Sequence, residues 1–246
     1  MPLKLAGYKQ KVHNATNLFW QSRASAVLKQ SETGNTDRGE RAAVTAGKNM
    51  DGFLDLLEDI VRQNSVKDVR VHRSKAMLTL PGYFRPAKLW DLLVTLDDTL
   101  IAAVELKSHV GPSYGNNFNN RAEEAIGSAC DFWTAFRKGA FGEQPRPFIG
   151  WMMLLEDSLE SRSPKRDIEP LFPVFKHFRG TSYFERYHLM CEYMVREGLY
   201  TAASVLASPR SAVDSGDYDE FSPSTGIKRF LAALAGHVAS EAAARL

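Results

Sequence analysis

Residues 147–155 (PFIGWMMLL) form an almost unbroken apolar run. It is too short to span a membrane, and it lacks the polar alternation of a half-exposed strand. A run of this kind reads as a strand buried on both faces. The expected class is therefore α/β (α+β), with a central sheet between flanking helices. At 246 residues, 44% hydrophobic and 24% charged, the chain is long and apolar enough to bury such a core and too apolar to be disordered.

The rest of the chain supplies layers for that sheet. Residues 51–63 (DGFLDLLEDIVRQ) place Phe53, Leu56, Leu57, Ile60 and Val61 on one helical face. Glu58 lies at the border of this stripe, Asp55 and Asp59 point further out, and Asp51 suits the helix start. Residues 69–72 and 76–80 read as short strands about a tight turn at Arg73-Ser74-Lys75. Residues 89–96 and 100–107 read as a hairpin closed through Asp97-Asp98-Thr99. A loop over 108–120 (SHVGPSYGNNFNN) leads into a helix over 119–137, with Ala122, Ala125, Ile126, Ala129, Cys130, Trp133 and Phe136 on its apolar face.

Further helices are expected over 8–30, then after a polar hinge (31–39) to residue 47, and over 182–198, 200–207 and 225–244. In the last, Ile227, Phe230, Leu231, Leu234 and Val238 share one face, for which core burial is a simpler explanation than an interface. Residues 208–226 read as an exposed loop. The expected organisation is a single domain over 1–246, with a core at about 51–157 and helical additions at about 1–50 and 158–246.

Several classes are excluded or disfavoured. No apolar stretch reaches spanning length, and the first residues lack a signal-peptide core, so a cytoplasmic protein is expected. Cys130 and Cys191 cannot build a disulfide framework. Both fall in apolar helical patterns, which predicts buried thiols, and no Cys/His cluster has zinc spacing. Net charge is only +2, yet the first thirty residues carry Lys4, Lys9, Lys11, Arg23 and Lys29 and no acid. Positive charge gathered on one face attracts a polyanion; a solvated basic helix explains the same run equally well.

The chemistry gathers at Asp91, Glu105 and Lys107. Residues two apart on a strand share a face, so Glu105 and Lys107 point the same way, and the hairpin brings Asp91 alongside. Hard oxygen ligands with open positions suit Mg²⁺ when a substrate supplies phosphate oxygens. A neighbouring ammonium orients water or offsets transition-state charge. An ELK tripeptide alone is common on solvated edges. Here the preceding strand is apolar (LIAAV), and charges carried on buried elements are usually paired or metal-bound.

This pattern resembles the PD-(D/E)XK nuclease superfamily, in which Asp and then Glu-x-Lys sit on adjacent strands of a mixed sheet flanked by helices. The Pro-Asp opening is missing, since Asp91 follows Trp90. A closer likeness runs through AGKNMDGFLDLLEDIV, KLWDLLVTLDDTLIAAVELKSHVGPSYGNNFNNRAEEAIGSACDFW and PFIGWMMLLEDS, which are similar to the XhoI-type Type II restriction endonucleases. That resemblance implies a homodimer cutting duplex DNA at CTCGAG after the first C with four-base 5′ extensions, a Mg²⁺ cofactor held by Asp91 and Glu105, and Lys107 serving the water. It also implies a cognate DNA methyltransferase as functional partner. Superfamily members often add an acid from the helix before the sheet, and Glu58 fits that place. Two alternatives are a structure-specific repair or recombination nuclease on the same core, and a non-catalytic DNA-binding protein.

Reading a palindrome requires base-edge contacts, for which Arg suits guanine and Asn or Gln suits adenine. Asn116, Asn117, Asn119, Asn120 and Arg121 follow the Glu-x-Lys strand directly and lead into a helix start. The same residues would also make an ordinary Asn-rich turn and cap. Two further candidates are the 222–226 loop with Lys228 and Arg229, and the basic N-terminal arm with Lys48.

Overall fold

The computed structural model describes residues 3–32, 49–167 and 171–245. The elements in chain order are α1 (Tyr8–Glu32), α2 (Asp51–Asn64), β1 (Arg70–His72), β2 (Thr79–Pro81), β3 (Ala87–Leu89), β4 (Leu92–Leu96), β5 (Thr99–His109), α3 (Tyr114–Arg137), β6 (Phe148–Glu156), α4 (Leu159–Arg162), α5 (Tyr183–Arg196), β7 (Ala202–Ser208), β8 (Asp219–Glu220) and α6 (Ile227–Ala243). Six strands form one mixed sheet in the order β1-β4-β5-β6-β7-β8. The central strands β5, β6 and β7 run parallel, while β1, β4 and β8 pair antiparallel with their neighbours. β2 and β3 make a separate two-stranded sheet.

Every residue of β6 and β7 is buried, because helices cover both faces of the sheet. On one side, Phe53, Leu56 and Leu57 of α2 and Phe230, Leu231 and Leu234 of α6 share a core with Val94, Val104, Leu106, Met152 and Leu154. On the other, Ala125, Ala129 and Phe132 of α3 and Phe184, Tyr187 and Met194 of α5 pack with Leu93, Ala103, Ile149, Trp151 and Met153. The expected apolar faces of α2 and α6 are buried residue for residue. Close approach uses glycine at two points. A Cβ on Gly150 would lie 2.7 Å from Phe230 Cζ. Gly216 has φ +69°, and a Cβ there would lie 1.9 Å from the His13 carbonyl oxygen, so only glycine lets this loop cross α1.

The 4–5 hairpin forms where expected, turning on Asp97 at φ 51°. Other expectations are corrected. Residues 200–207 are not helical: 202–208 form β7, a strand paired with β6 and β8, because burial between two strands overrides the helix preference of an alanine-rich segment. The sheet thus extends beyond residue 157. Residues 69–80 do not form a hairpin; β1 joins β4, while a 3-10 turn at Lys75–Met77 sends β2 to pair with β3. The strand expected over 89–96 is broken at Trp90-Asp91, between the two sheets. The loop expected over 108–120 shrinks, since β5 continues to His109 and α3 begins at Tyr114. Cys191 is buried, but Cys130 is exposed and Ile126 on the same helix is 48% exposed, so that part of the predicted apolar face meets solvent. Residues 208–226 contain β8 and a 3-10 turn at Arg210–Val213, and they bury Ala212 and Thr225. The hinge and helical stretch expected over 33–47 lie outside the described residues. No described helix is long and apolar enough to cross a membrane.

Candidate active site

β5 carries the site because alternation sorts its side chains. Val104 and Leu106 enter the α2/α6 core, which leaves Glu105 and Lys107 on the opposite face with Ala103 and His109. Glu105 is 2% exposed, and its Oε1 lies 2.6 Å from Lys107 Nζ. Asp91 stands just before β4. Its N–H donates to the Val104 carbonyl at 3.2 Å, and its Oδ2 accepts the Leu106 N–H at 2.8 Å. A side chain thus takes over from the backbone ladder just before β4 begins, and the Asp91 carboxylate is pinned to the residue between Glu105 and Lys107.

A fourth group completes the arrangement. Lys88, on β3, places Nζ 3.0 Å from Glu105 Oε2 and 4.9 Å from the centre of the Trp90 ring. Its side chain is 11% exposed. The approach is off the hydrogen-bonding direction, so Oε2 is buried in an ion pair yet accepts no directed hydrogen bond. The loop leading into β3 is fixed from α3. Asp131 Oδ1 accepts the Tyr83 and Phe84 N–H groups at 2.7 and 2.8 Å, and its Oδ2 accepts Arg85 Nε at 2.8 Å.

The two carboxyls are pushed apart. Burial raises Asp91 above its ordinary value, and the Leu106 N–H and Lys107 offset only part of this. Burial acts on Glu105 in the same sense, but Lys107 and Lys88 outweigh it and hold that carboxyl below its usual value. Glu105 is therefore the more firmly ionised of the two. One strand step beyond Lys107, His109 Nδ1 lies 2.7 Å from Tyr187 Oη, and burial together with nearby Arg121 lowers the imidazole to about 4, so it is neutral near pH 7.

Glu58 lies on α2, on the other side of the sheet, and its carboxylate takes Arg62 Nε at 2.8 Å and Arg73 Nη1 at 3.2 Å. Burial would raise its pKa, but these two guanidinium groups lower it. Arg73 ties α2 to the end of β1. Asn116, Asn117, Asn119 and Asn120 occupy the first two turns of α3, not a loop, with 116, 119 and 120 exposed. Arg121 turns inward, paired with Glu124 beside His109. In the 222–226 loop, Ser224 donates to Glu192 at 2.8 Å, Thr225 is buried against His188, and Glu220 already accepts the first N–H of α6 at 2.6 Å. In the N-terminal arm Lys11 pairs with Asp59 and Arg23 is buried against Phe19. Lys48 lies outside the described residues.

Lys88 and Asp131 were missed from the sequence. Reading 89–96 as one strand left Lys88 outside it and gave its side chain no face. The contact that reveals it crosses from one sheet to another and is not local. The spacing Lys88-x-x-Asp91 was the available signal.

Among the described residues, no cluster of three or more His, Cys, Asp or Glu side chains gathers. A closed zinc site is therefore not built here. Two carboxylates, one with a buried oxygen lacking a directed hydrogen bond, instead suit a hard divalent cation that keeps water and phosphate among its ligands.

Known proteins resemble the chain over most of its length. Residues 29–220 match the family model described as restriction endonuclease XhoI. The chain is 55% identical over 180 residues to the Type II restriction enzyme AbrI of Azospirillum brasilense, covering 73% of this chain and 81% of the relative. It is 49% identical over 210 residues to the Type II restriction enzyme XhoI of Xanthomonas vasicola, covering 85% and 84%. It is 46% identical over 212 residues to the Type II restriction enzyme BstVI of Geobacillus stearothermophilus, covering 84% and 94%. No solved structure matches the chain. With a mixed sheet between helical layers, a buried Glu-x-Lys pair beside an aspartate, and this extent of sequence identity, the chain belongs to the XhoI family of restriction endonucleases.

Proposed function

We propose that the chain is a Type II restriction endonuclease that hydrolyses duplex DNA at CTCGAG, cutting after the first C to leave four-base 5′ extensions. Asp91 and Glu105 would hold Mg²⁺, and Lys107 would serve the attacking water. The observation that carries this reading is the pinning of Asp91 to Leu106 N–H at 2.8 Å beside a Glu105–Lys107 contact of 2.6 Å. Bound Mg²⁺ would supply Lewis-acid stabilisation of the phosphate oxygens. Glu105 stays ionised because two ammonium groups face it, and Asp91 is kept in place by the backbone of β5. Lys107 donates to the incoming water and offsets charge as the water oxygen bonds to phosphorus and gives its proton to solvent, while the opposite P–O bond breaks and the leaving oxygen takes up a proton.

The exposed asparagines at the head of α3, with Arg121 behind them, are the proposed DNA-contacting group. Their helix start favours a phosphate nearby. Lys48 is proposed to add to it. A two-fold site calls for a two-fold enzyme, so the working form is a homodimer. It acts in the cytoplasm beside a cognate methyltransferase that protects the host's own sites. Glu58 enters as an accessory acid on α2. Glu58→Ala should slow cleavage; an unchanged rate overturns this role and leaves Glu58 an anchor for Arg73.

The test is digestion of a plasmid with Mg²⁺ followed by sequencing of the fragment ends. Ends beginning TCGA at every CTCGAG are expected. Ends at another sequence overturn the site; random nicking overturns sequence-specific cleavage altogether.

A further inference from the structure

Each oxygen of Glu105 faces its own ammonium group, Lys107 at 2.6 Å from Oε1 and Lys88 at 3.0 Å from Oε2. The two lysines arrive differently. Lys107 shares β5 with Glu105. Lys88 comes from the separate β2–β3 sheet, on a loop anchored by Asp131. With Asp91, the four groups sum formally to zero charge in a pocket where Glu105 is 2% exposed. A divalent cation entering this pocket adds two charges that nothing there offsets, and charge repulsion is costly in partly buried surroundings.

Lys88 is the group able to give way. It reaches Oε2 from the separate β2–β3 sheet at the longer of the two ion-pair distances, and it has other neighbours in the Leu89 carbonyl at 3.3 Å and the Trp90 ring at 4.9 Å. A short turn of its side chain leaves Oε2 without stranding the ammonium.

We propose that Lys88 is a resident counter-cation of Glu105 that a divalent cation must displace from Oε2, so that the pocket takes up metal by exchange. This rests on the reading of Glu105 as a metal ligand. The free enzyme then takes up metal weakly, and an arriving DNA phosphate, by receiving the displaced ammonium, makes uptake easier. Lys88 acts through Glu105 and is a positioning residue.

The test is Mn²⁺ binding by the DNA-free protein, followed as loss of the free-ion electron spin resonance signal. Lys88→Met keeps the stem on Trp90 and removes the charge; Lys88→Gln is the second variant, and Lys88→Arg keeps the charge. Exchange requires Mn²⁺ affinity to rise about tenfold in Lys88→Met and Lys88→Gln and to stay at the parent value or below in Lys88→Arg. Unchanged or weaker binding in both neutral variants overturns the proposal and leaves Lys88 a structural ion-pair partner. Glu105→Gln separates the two claims. If it binds Mn²⁺ like the parent, the metal-ligand reading fails; if it loses binding while the Lys88 variants show no gain, only the exchange fails.

Discussion

On its α2/α6 side, β5 presents Val104 and Leu106 to a core of Phe53, Leu57, Phe230 and Leu234. On its α3/α5 side, the same strand presents Glu105, Lys107 and His109 among Trp90, Trp151 and Tyr187. The first side has the composition of a stabilising core. The second carries the strand's charges, with Glu105 between Lys88 and Lys107, while buried polar atoms without hydrogen-bond partners occur on both sides: Glu105 Oε2, His109 Nε2 and Trp151 Nε1 on this one, Thr16 Oγ1, Ser204 Oγ and His237 Nε2 on the other. Burying such groups costs free energy. The difference teaches that β5 is held by apolar packing toward α2 and α6 and can therefore carry its buried ion pairs toward α3 and α5.

The contrast is tested most strongly by separating activity from folding. Asp91→Asn and Glu105→Gln should each lower cleavage about a hundredfold or more, while Ca²⁺-supported DNA binding persists. Gel-shift and plasmid assays on the same preparations check this. Because burial raises the Asp91 carboxyl, its ionised form destabilises the fold at neutral pH, so Asp91→Asn should melt no lower than the parent. A variant that cuts at the parental rate removes the residue from the site.

Phe230→Ala tests the opposite face. It should cost about 3–5 kcal/mol, read by urea unfolding, with cleavage per folded molecule nearly unchanged at low temperature. Loss of activity without loss of stability would blur the division between the faces.

Asp131→Asn should cost about 1–2 kcal/mol by weakening the hold on residues 82–86. Burial would raise the Asp131 carboxyl, but the Phe84 N–H, Arg85 and the Tyr83 N–H outweigh it and bring it below the ordinary 3.8. The folded value being the lower one, the contribution is present above pH 3.8 and fades as pH falls through the folded value. Parent and variant should therefore differ at neutral pH and converge in acid.

The smallest effect is expected at the head of α3. Asn119→Ala and Asn120→Ala should each weaken specific DNA binding by about 1 kcal/mol, since a single base contact is worth about 1–3 kcal/mol and these residues are exposed. Fluorescence anisotropy with cognate and scrambled duplexes measures it. Equal loss on both duplexes would assign the asparagines to phosphate.

The sequence was most legible where pattern and packing agree. The α2 stripe, the Asp97 turn and the buried run of β6 follow from periodicity, and so does the shared face of Glu105 and Lys107. It was least legible where partners are remote. An alanine-rich segment becomes β7 only because β6 and β8 flank it. Trp90-Asp91 breaks a strand only because two sheets meet there. Lys88 gains its place from Asp131, more than forty residues away, and no local periodicity encodes that link.

In the 5–6 register, Glu105 faces Trp151 and Lys107 faces Met153. Sliding β5 by one position would turn every side chain over, driving a carboxylate and an amine into aliphatic packing. A misaligned molecule would therefore be poorly folded. The charges proposed to equip this nuclease also proofread its strand alignment.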